Sequence, residues 1–100
     1  TMIHYSLLIL TYTYTDLQDD LSAIEKQHLD YFTRNTLCRT IAGNKCEYVT
    51  ITSRKNGDPS DDKVKKKGVF LSARVHPGES NSSWMMKGIL EFLTGNSDEA

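Results

Sequence analysis

Cysteine and proline are scarce in this chain of 100 residues, which contains two of each. Cys38 and Cys46 are too few for the disulfide framework of a short secreted domain. Their spacing also matches no common zinc knuckle. We therefore expect two reduced thiols in or beside strands. The length allows at most one small domain.

Net charge and long apolar runs are also lacking. The formal charge is -1, so the chain as a whole has no electrostatic preference for nucleic acid or acidic lipid. The apolar segment Ile3–Leu10 lacks the basic start and small-residue cleavage site of a signal sequence. It is also far shorter than the ~20 apolar residues of a membrane-spanning helix. We expect a cytosolic protein without nucleic-acid or membrane partners, and Thr1 in place of Met is consistent with a trimmed fragment.

The first part of the chain predicts a strand followed by a helix. Residues 7–14 are rich in β-branched and aromatic side chains, which favours a strand. Thr15 and Gln18 fit a capping box ahead of a helix from about Asp16 to about Leu29. The apolar positions at helical spacing are Leu17, Leu21 and Ile24.

A hairpin and a charged segment follow that helix. Strands are predicted at residues 36–41 and 47–52, and Gly43 and Asn44 supply the positive φ values that a tight connection needs. Residues 54–67 mix many basic side chains with aspartates, which is typical of a solvated loop that tolerates substitution. A contact to phosphate or another polyanion is the alternative interpretation.

The last part of the chain predicts a buried strand and a second helix. A continuous apolar run makes residues 67–73 an inner strand of a mixed sheet. A helix is predicted over Ser82–Leu93, packed on that strand and closed by Gly95 and Asn96. The helical positions that support it are Trp84, Met85, Gly88, Ile89 and Phe92. The fold class is therefore α/β, a mixed β-sheet with flanking helices.

One imidazole and one carboxylate lie between that strand and that helix. His76 and Glu79 are separated by Pro77 and Gly78. In open α/β sheets, ligand sites form outside the carboxyl ends of the strands, and zinc accepts both imidazole nitrogen and carboxylate oxygen. Pro77 removes a backbone donor and Gly78 permits an unusual φ, so both side chains are expected to face one metal ion.

The segment Leu71–Gly88, which contains this pair, closely resembles the signature of the cytosolic carboxypeptidases, a branch of the zinc carboxypeptidases. Tyr12–Leu17 resembles the family's approach to its first catalytic-domain helix, and Leu37–Asn44 resembles its first hairpin. The resemblance covers nearly the whole chain. One departure is Thr11, which stands where the family usually has a proline.

The resemblance implies a fold, an activity and a cofactor. Residues 1–100 would form the N-terminal, incomplete part of a catalytic domain with the zinc-carboxypeptidase (phosphorylase/hydrolase-like) fold. Members remove glutamates from protein C-termini or polyglutamate side chains, so the implied partners are glutamate-rich protein tails such as those of tubulin. His76 and Glu79 match the family's first two zinc ligands.

The rest of the family's active site matches no position in this chain. The third ligand is a downstream histidine, and the substrate-gripping arginines and the general-base glutamate are downstream as well. No catalytic residue is therefore assigned, and the chain by itself is expected to be inactive. His4 and His28 do not match the third ligand and are expected to be structural or surface residues.

Two other functions remain open at this point. A zinc amidohydrolase of the aspartoacylase type also uses a His-x-x-Glu pair, although Trp84–Gly88 and the Leu37–Asn44 hairpin argue against it. A non-catalytic interaction module, which keeps the first third of the fold and competes for partners, belongs to a different class. A downstream histidine, an arginine pair and a late glutamate in a longer sequence would favour the enzyme.

Overall fold

The structure, a computed structural model, describes residues 11–28, 30–52 and 67–95. Its elements, in chain order, are helix α1 (Tyr14–Gln27), strand β1 (Phe32–Arg39), strand β2 (Lys45–Ile51) and helix α2 (Ser80–Leu93). The chain divides into two compact units, one of residues 1–18 and 71–100 and the other of residues 19–70. The predicted α/β class is confirmed, with an antiparallel pair as the sheet of the described residues.

Helix α1 begins two residues before its predicted start. The Asp16 backbone N–H donates to Thr13 Oγ1 at 3.1 Å, and the Thr13 backbone N–H donates to Asp16 Oδ2 at 2.7 Å. The capping box is therefore Thr13 with Asp16, and the predicted pair Thr15 and Gln18 is wrong, because both residues lie inside the helix. A carboxylate at the positive end of a helix accepts a stronger bond than a neutral amide does, which favours the earlier box.

The strand predicted at residues 7–14 is wrong in its described part. Residues 11–13 form no strand and Tyr14 is the first residue of α1, while residues 7–10 lie outside the described ranges. The aromatic and β-branched composition misled the prediction because Tyr12 has a different role. Its side chain is only 6% exposed and contacts Trp84 of α2.

The predicted hairpin is confirmed, with shifted strand ends. β1 and β2 pair antiparallel from Phe32 opposite Ile51 to Arg39 opposite Lys45. Gly43 has φ 83 in the connection, as predicted, whereas Asn44 has no positive φ. Asn44 instead closes the connection just outside the strands, since its carbonyl accepts from the Thr40 N–H at 2.8 Å. An irregularity between Thr36 and Cys38 shifts the register by one residue.

One arginine connects the three elements of the unit formed by residues 19–70. Arg34 on β1 donates to both carboxylate oxygens of Glu47 on β2, at 3.0 and 2.8 Å, and to Ser22 Oγ on α1 at 3.0 Å. Leu21 and Phe32 are the buried apolar side chains among the described residues of this unit. A planar guanidinium can serve all these acceptors at once, which is why this ion pair fixes the hairpin against the helix.

The inner strand predicted at residues 67–73 does not form. These residues have no strand assignment, and the side chains of Val69 and Phe70 are 83% and 89% exposed. An inner strand needs a hydrogen-bonding partner on each side. The sheet of the described residues consists of β1 and β2, and residues 67–73 pair with neither strand. Of the charged loop at residues 54–67, only Lys67 lies within the described ranges, where it is exposed.

Helix α2 confirms the second predicted helix, with Ser80 rather than Ser82 as its first residue. The predicted glycine cap is wrong. Thr94 is the C-cap, and its N–H and hydroxyl both donate to the Leu90 carbonyl, at 2.9 and 2.7 Å. Gly95 donates its N–H to the Phe92 carbonyl at 3.2 Å but has no positive φ, so the left-handed conformation of a glycine cap does not form.

The face of α2 predicted to pack on the strand is only partly covered. Trp84, Met85 and Phe92 are 39%, 67% and 49% exposed, whereas Leu90 is buried. An open groove of about 190 Å³ lies between residues 71–73 and α2. Its lining residues are Leu71, Ser72, Ala73, Ser82, Met85, Met86 and Ile89. Neither described helix is long and apolar enough to cross a membrane.

Candidate metal centre

His76 and Glu79 are joined by a β-turn that leads into α2. The Glu79 backbone N–H donates to the His76 carbonyl at 3.1 Å, across Pro77 and Gly78. Proline suits the second position of such a turn because its φ is preset. Gly78 has no positive φ, and a Cβ there would meet no atom within 4 Å. The predicted need for an unusual φ at Gly78 is therefore wrong.

The turn brings the two predicted ligand side chains together. His76 Nδ1 lies 3.1 Å from Glu79 Oε1, and the two side chains are 79% and 45% exposed. Two donors that each lie about 2.0–2.2 Å from one zinc ion in tetrahedral geometry are roughly 3.4 Å apart. The observed separation is close to that value, so the pair fits a shared zinc ion and remains open to further ligands.

Glu79 occupies the N-cap position of α2 without using its side chain as a cap. Its φ and ψ are -90° and 56°, and the carboxylate makes no hydrogen bond to the first turn of the helix. The Ser82 N–H donates to the Glu79 backbone carbonyl instead, at 3.0 Å. An anionic group is favoured at this end of a helix dipole. The carboxylate oxygens therefore stay available to His76 or to a metal ion.

Arg74 holds the turn from the N-terminal side and was not singled out from the sequence. Its Nε and one terminal nitrogen donate to the Pro77 carbonyl at 3.1 and 2.9 Å. The other terminal nitrogen donates to the Tyr12 carbonyl at 2.6 Å. Arg74 also has φ 54, a left-handed conformation that costs a non-glycine residue about 1–2 kcal/mol. The sequence gives little indication that Arg74 adopts this conformation, because glycine and asparagine are the usual residues at positive φ.

Aromatic contacts link Tyr12, which lies two residues before α1, to α2 in the same unit. The Tyr12 and Trp84 rings meet edge to face with centroids 5.1 Å apart, and Lys87 Nζ lies 5.6 Å from the Trp84 ring centroid. Such geometries are favourable for aromatic pairs and for cations over indole. The carbonyl of Tyr12 therefore has a fixed position when it accepts from Arg74.

The other candidate ligands do not join His76 and Glu79. In residues 11–28, 30–52 and 67–95, no three histidine, cysteine or acidic side chains are grouped so as to hold a metal ion. His28 shares a hydrogen bond with the Tyr31 hydroxyl, 2.6 Å from its Nδ1, which agrees with the structural role predicted for it. Cys38 and Cys46 are free thiols on the hairpin, and His4 lies outside the described residues.

Comparison with known proteins defines the class. The profile of the zinc carboxypeptidase family matches residues 17–100, and the chain belongs to this family. No solved structure matches the chain. The family match agrees with a mixed α/β chain that presents a histidine and a glutamate at the start of a helix.

Particular relatives narrow the class further. The chain is 44% identical over 95 residues to cytosolic carboxypeptidase 1 of Mus musculus, an alignment that covers 89% of this chain and 8% of the relative. It is 46% identical over 91 residues to cytosolic carboxypeptidase 2 of Homo sapiens, with 89% and 10% covered. Cytosolic carboxypeptidase 3 of Bos taurus is also 46% identical over 91 residues, with 89% and 9% covered. The chain thus spans about a tenth of the length of these relatives.

Proposed function

We propose that this chain is part of a zinc-dependent metallocarboxypeptidase that removes glutamates from protein C-termini or polyglutamate side chains, with tubulin tails as substrates. The observation that carries the proposal is the 3.1 Å approach of His76 Nδ1 to Glu79 Oε1 on the turn before α2. The identity to cytosolic carboxypeptidases 1, 2 and 3 supports the reaction class. The description of these relatives as cytosolic also supports a cytosolic location.

In this proposal, His76 and Glu79 are two of the three protein ligands of the zinc ion. When bound, zinc supplies a positive centre that lowers the pKa of a water molecule and polarises the scissile carbonyl. His76 contributes a neutral nitrogen, so Nδ1 must give up any proton before it binds the metal. Glu79 contributes one negative charge, which with two neutral histidines leaves a net positive site. The remaining ligand, the general base and the substrate-binding arginines would come from other parts of the protein.

The basic side chains of residues 54–67 support an acidic substrate. Residues 54–67 contain six basic side chains (Arg54, Lys55, Lys63, Lys65, Lys66 and Lys67) and three aspartates (Asp58, Asp61 and Asp62). The resulting net charge of +3 would attract a glutamate-rich tail at long range. Such attraction between exposed charges weakens as ionic strength rises. Replacing Lys65, Lys66 and Lys67 with serine should therefore raise KM for an acidic peptide at low salt, and the difference should shrink at high salt. A loss of activity that does not depend on salt would contradict this part of the proposal.

The decisive experiment uses the full-length protein that contains this chain. Zinc content is measured by elemental analysis, and turnover is compared on a peptide that ends in glutamates and on a matched peptide that ends in glutamines. We expect one catalytic zinc and release of glutamate from the first peptide, both lost in His76→Ala. Zinc and activity retained in His76→Ala would overturn the ligand assignment.

The two other functions are outcomes of the same experiment. Hydrolysis of an N-acyl amino acid in place of the peptides would identify an amidohydrolase of the aspartoacylase type. A protein without zinc and without turnover that still binds glutamate-rich tails would be an interaction module. Either result would reject the carboxypeptidase proposal.

A further inference from the structure

Arg74, which is half-buried and lies two residues before the His76–Glu79 turn, combines two features. Among the residues that the structure describes, it is the only non-glycine residue with a positive φ, which is 54°. Its guanidinium also donates three hydrogen bonds to two backbone carbonyls, those of Pro77 and Tyr12. A strained conformation persists only where the surrounding contacts hold it, and these three bonds are the contacts that hold this one.

The hydrogen bonds from Arg74 to the Pro77 carbonyl act on the turn that joins His76 and Glu79. Pro77 lies inside the turn between His76 and Glu79, so a group that fixes its carbonyl also fixes the path of the chain between the two side chains. The Nε and one terminal nitrogen of Arg74 reach this carbonyl together, at 3.1 and 2.9 Å. A planar fork of donors restricts both the distance and the orientation of its acceptor.

The far side of the guanidinium is anchored to a buried residue. Its 2.6 Å bond goes to the carbonyl of Tyr12, 62 positions earlier in the chain. The Tyr12 ring is 6% exposed and meets the Trp84 ring of α2, so the anchor and the helix that follows Glu79 belong to one packed cluster. The turn is therefore held at its start by Arg74 and at its end by α2.

We infer that Arg74 is a positioning residue for the metal site, whose guanidinium sets the separation of His76 and Glu79 by clamping the Pro77 carbonyl to the Tyr12 carbonyl. The inference rests on the proposed function, in which these two side chains bind zinc. Arg74 itself binds no metal and touches neither ligand side chain through these bonds. Its effect is on zinc affinity, because partners that orient metal ligands typically change affinity by about 10–100-fold.

Two substitutions of Arg74 distinguish the positioning effect of its guanidinium from the effects of its charge and of its strained backbone. Arg74→Gly removes the guanidinium and accepts φ 54 without strain. Because it also removes a cation close to a cation site, electrostatics alone would make zinc bind more tightly. Arg74→Lys keeps the charge but loses the planar fork. Positioning by the guanidinium therefore predicts weaker zinc binding in both variants, and neither charge nor strain predicts that pattern.

The measurement is the zinc dissociation constant of the full-length protein, by competition with a chromogenic chelator, after circular dichroism has shown that each variant is folded. We expect Arg74→Gly and Arg74→Lys to raise the dissociation constant by about 10–100-fold. Arg39→Ala is the matched control. Arg39 also donates to a backbone carbonyl, that of Gly43 at 2.9 Å, but in the hairpin turn, and its loss should leave zinc affinity unchanged.

The possible results distinguish the positioning role of Arg74 from the zinc site of His76 and Glu79. Unchanged or tighter zinc binding in folded Arg74→Gly overturns the positioning role, provided that His76→Ala weakens binding in the same assay. Unchanged zinc binding in His76→Ala overturns the metal site itself. A change equal to that of Arg39→Ala would show that Arg74 acts only as a general stabilising contact.

Discussion

The carboxylate of Glu79 lies at the N-cap position of α2 but approaches His76 Nδ1 at 3.1 Å and makes no bond to the helix amides. If the Glu79 side chain capped α2, its replacement would change both the stability of the helix and any metal binding. Because it makes no cap bond, its replacement should change metal binding without changing the stability of the helix. The site can therefore be tested by substitutions that leave α2 intact.

Glu79→Gln in the full-length protein should abolish peptidase activity nearly as completely as Glu79→Ala. An amide is a poor zinc donor, and the substitution removes the negative charge that the site needs. Amide hydrogen exchange across Ser80–Leu93 should stay close to wild type, because the carboxylate makes no cap bond. Glu91→Gln, on the exposed side of the same helix, is the control and should retain activity. Full activity in Glu79→Gln would show that Glu79 is not a ligand.

The start of α1 should be sensitive to acid. The hydrogen bond from the Thr13 backbone N–H, followed by that from the Thr13 hydroxyl, lowers the pKa of Asp16 from its ordinary value of 3.8. A carboxyl group whose pKa is lower in the folded state stabilises the fold above its unfolded-state pKa. That contribution is lost as the pH falls through the lower, folded-state pKa.

The check is amide exchange of α1 as a function of pH. Asp16→Asn should exchange faster than wild type at neutral pH, and the difference should shrink as the pH falls below 3.8. Asp19→Asn, an exposed position of the same helix, should show a smaller difference. A difference between Asp16→Asn and wild type that stays constant down to strongly acid pH would contradict the capping role.

Removing one partner of the Arg34–Glu47 pair should destabilise the hairpin. The side chains are only 12% and 7% exposed, and the bond to Glu47 is the main cause that raises the pKa of Arg34. Glu47→Ala removes the bidentate acceptor of a largely buried guanidinium and leaves it the more distant Glu25 carboxylate, at 3.7 Å. We expect a cost of roughly 1–3 kcal/mol. The double variant Arg34→Met with Glu47→Met should cost less, because the carboxylate that then loses Arg34, Glu25, is 39% exposed and no largely buried charge loses its partner.

Hydrogen exchange across Phe32–Ile51 measures this difference directly. Exchange in Glu47→Ala should be about 5–150-fold faster than in wild type, the equivalent of that free energy. Arg39→Ala, which loses an exposed bond to the Gly43 carbonyl, should change exchange much less. A double variant that is as unstable as Glu47→Ala would mean that packing, and not the unpaired charge, causes the loss.

Cys38 and Cys46 should form an intramolecular disulfide with oxidised glutathione. The two residues are directly opposite in the hairpin register, which places their Cα atoms about 4.5–5.5 Å apart, within the range of about 4.4–6.8 Å for disulfides. One thiolate attacks glutathione disulfide and releases one glutathione. The second thiolate then attacks the mixed disulfide and releases the other, so two protein thiols are oxidised and one disulfide is reduced.

Mass spectrometry of digested protein gives the readout. We expect one linked peptide pair in wild type and a stable glutathione adduct on Cys38 in Cys46→Ser. Partial desolvation, and then the neighbouring Cys46 thiol, raise the pKa of Cys38, so the reaction should accelerate towards alkaline pH as the thiolate forms. Adducts on both cysteines of wild type, without the linked pair, would show that the thiols do not meet.

Several features follow from local sequence, and the structure agrees with them. Gly43 predicted the hairpin because a tight connection needs positive φ, and the apolar spacing after Ser82 predicted α2 because side chains three and four apart share a helix face. Near the ends of elements the same reasoning was less accurate. Thr13 with Asp16 and Thr15 with Gln18 both fit a capping box, and only the relative strength of the two acceptors decided between them.

The order of residues alone determined that His76 and Glu79 lie on one short turn before a helix, because three positions of chain cannot separate them widely. Tertiary structure decided what holds that turn. The bond from Arg74 to the Tyr12 carbonyl spans 62 positions, and no local pattern encodes a contact at that distance, since it depends on how the intervening chain closes. The same holds for Arg34 with Glu47, and for Cys38 opposite Cys46, where one irregular residue in β1 sets the register. Residues 67–73 have a strand-like sequence but form no strand in the structure. Such a sequence forms a strand only where a neighbouring strand satisfies its backbone hydrogen bonds.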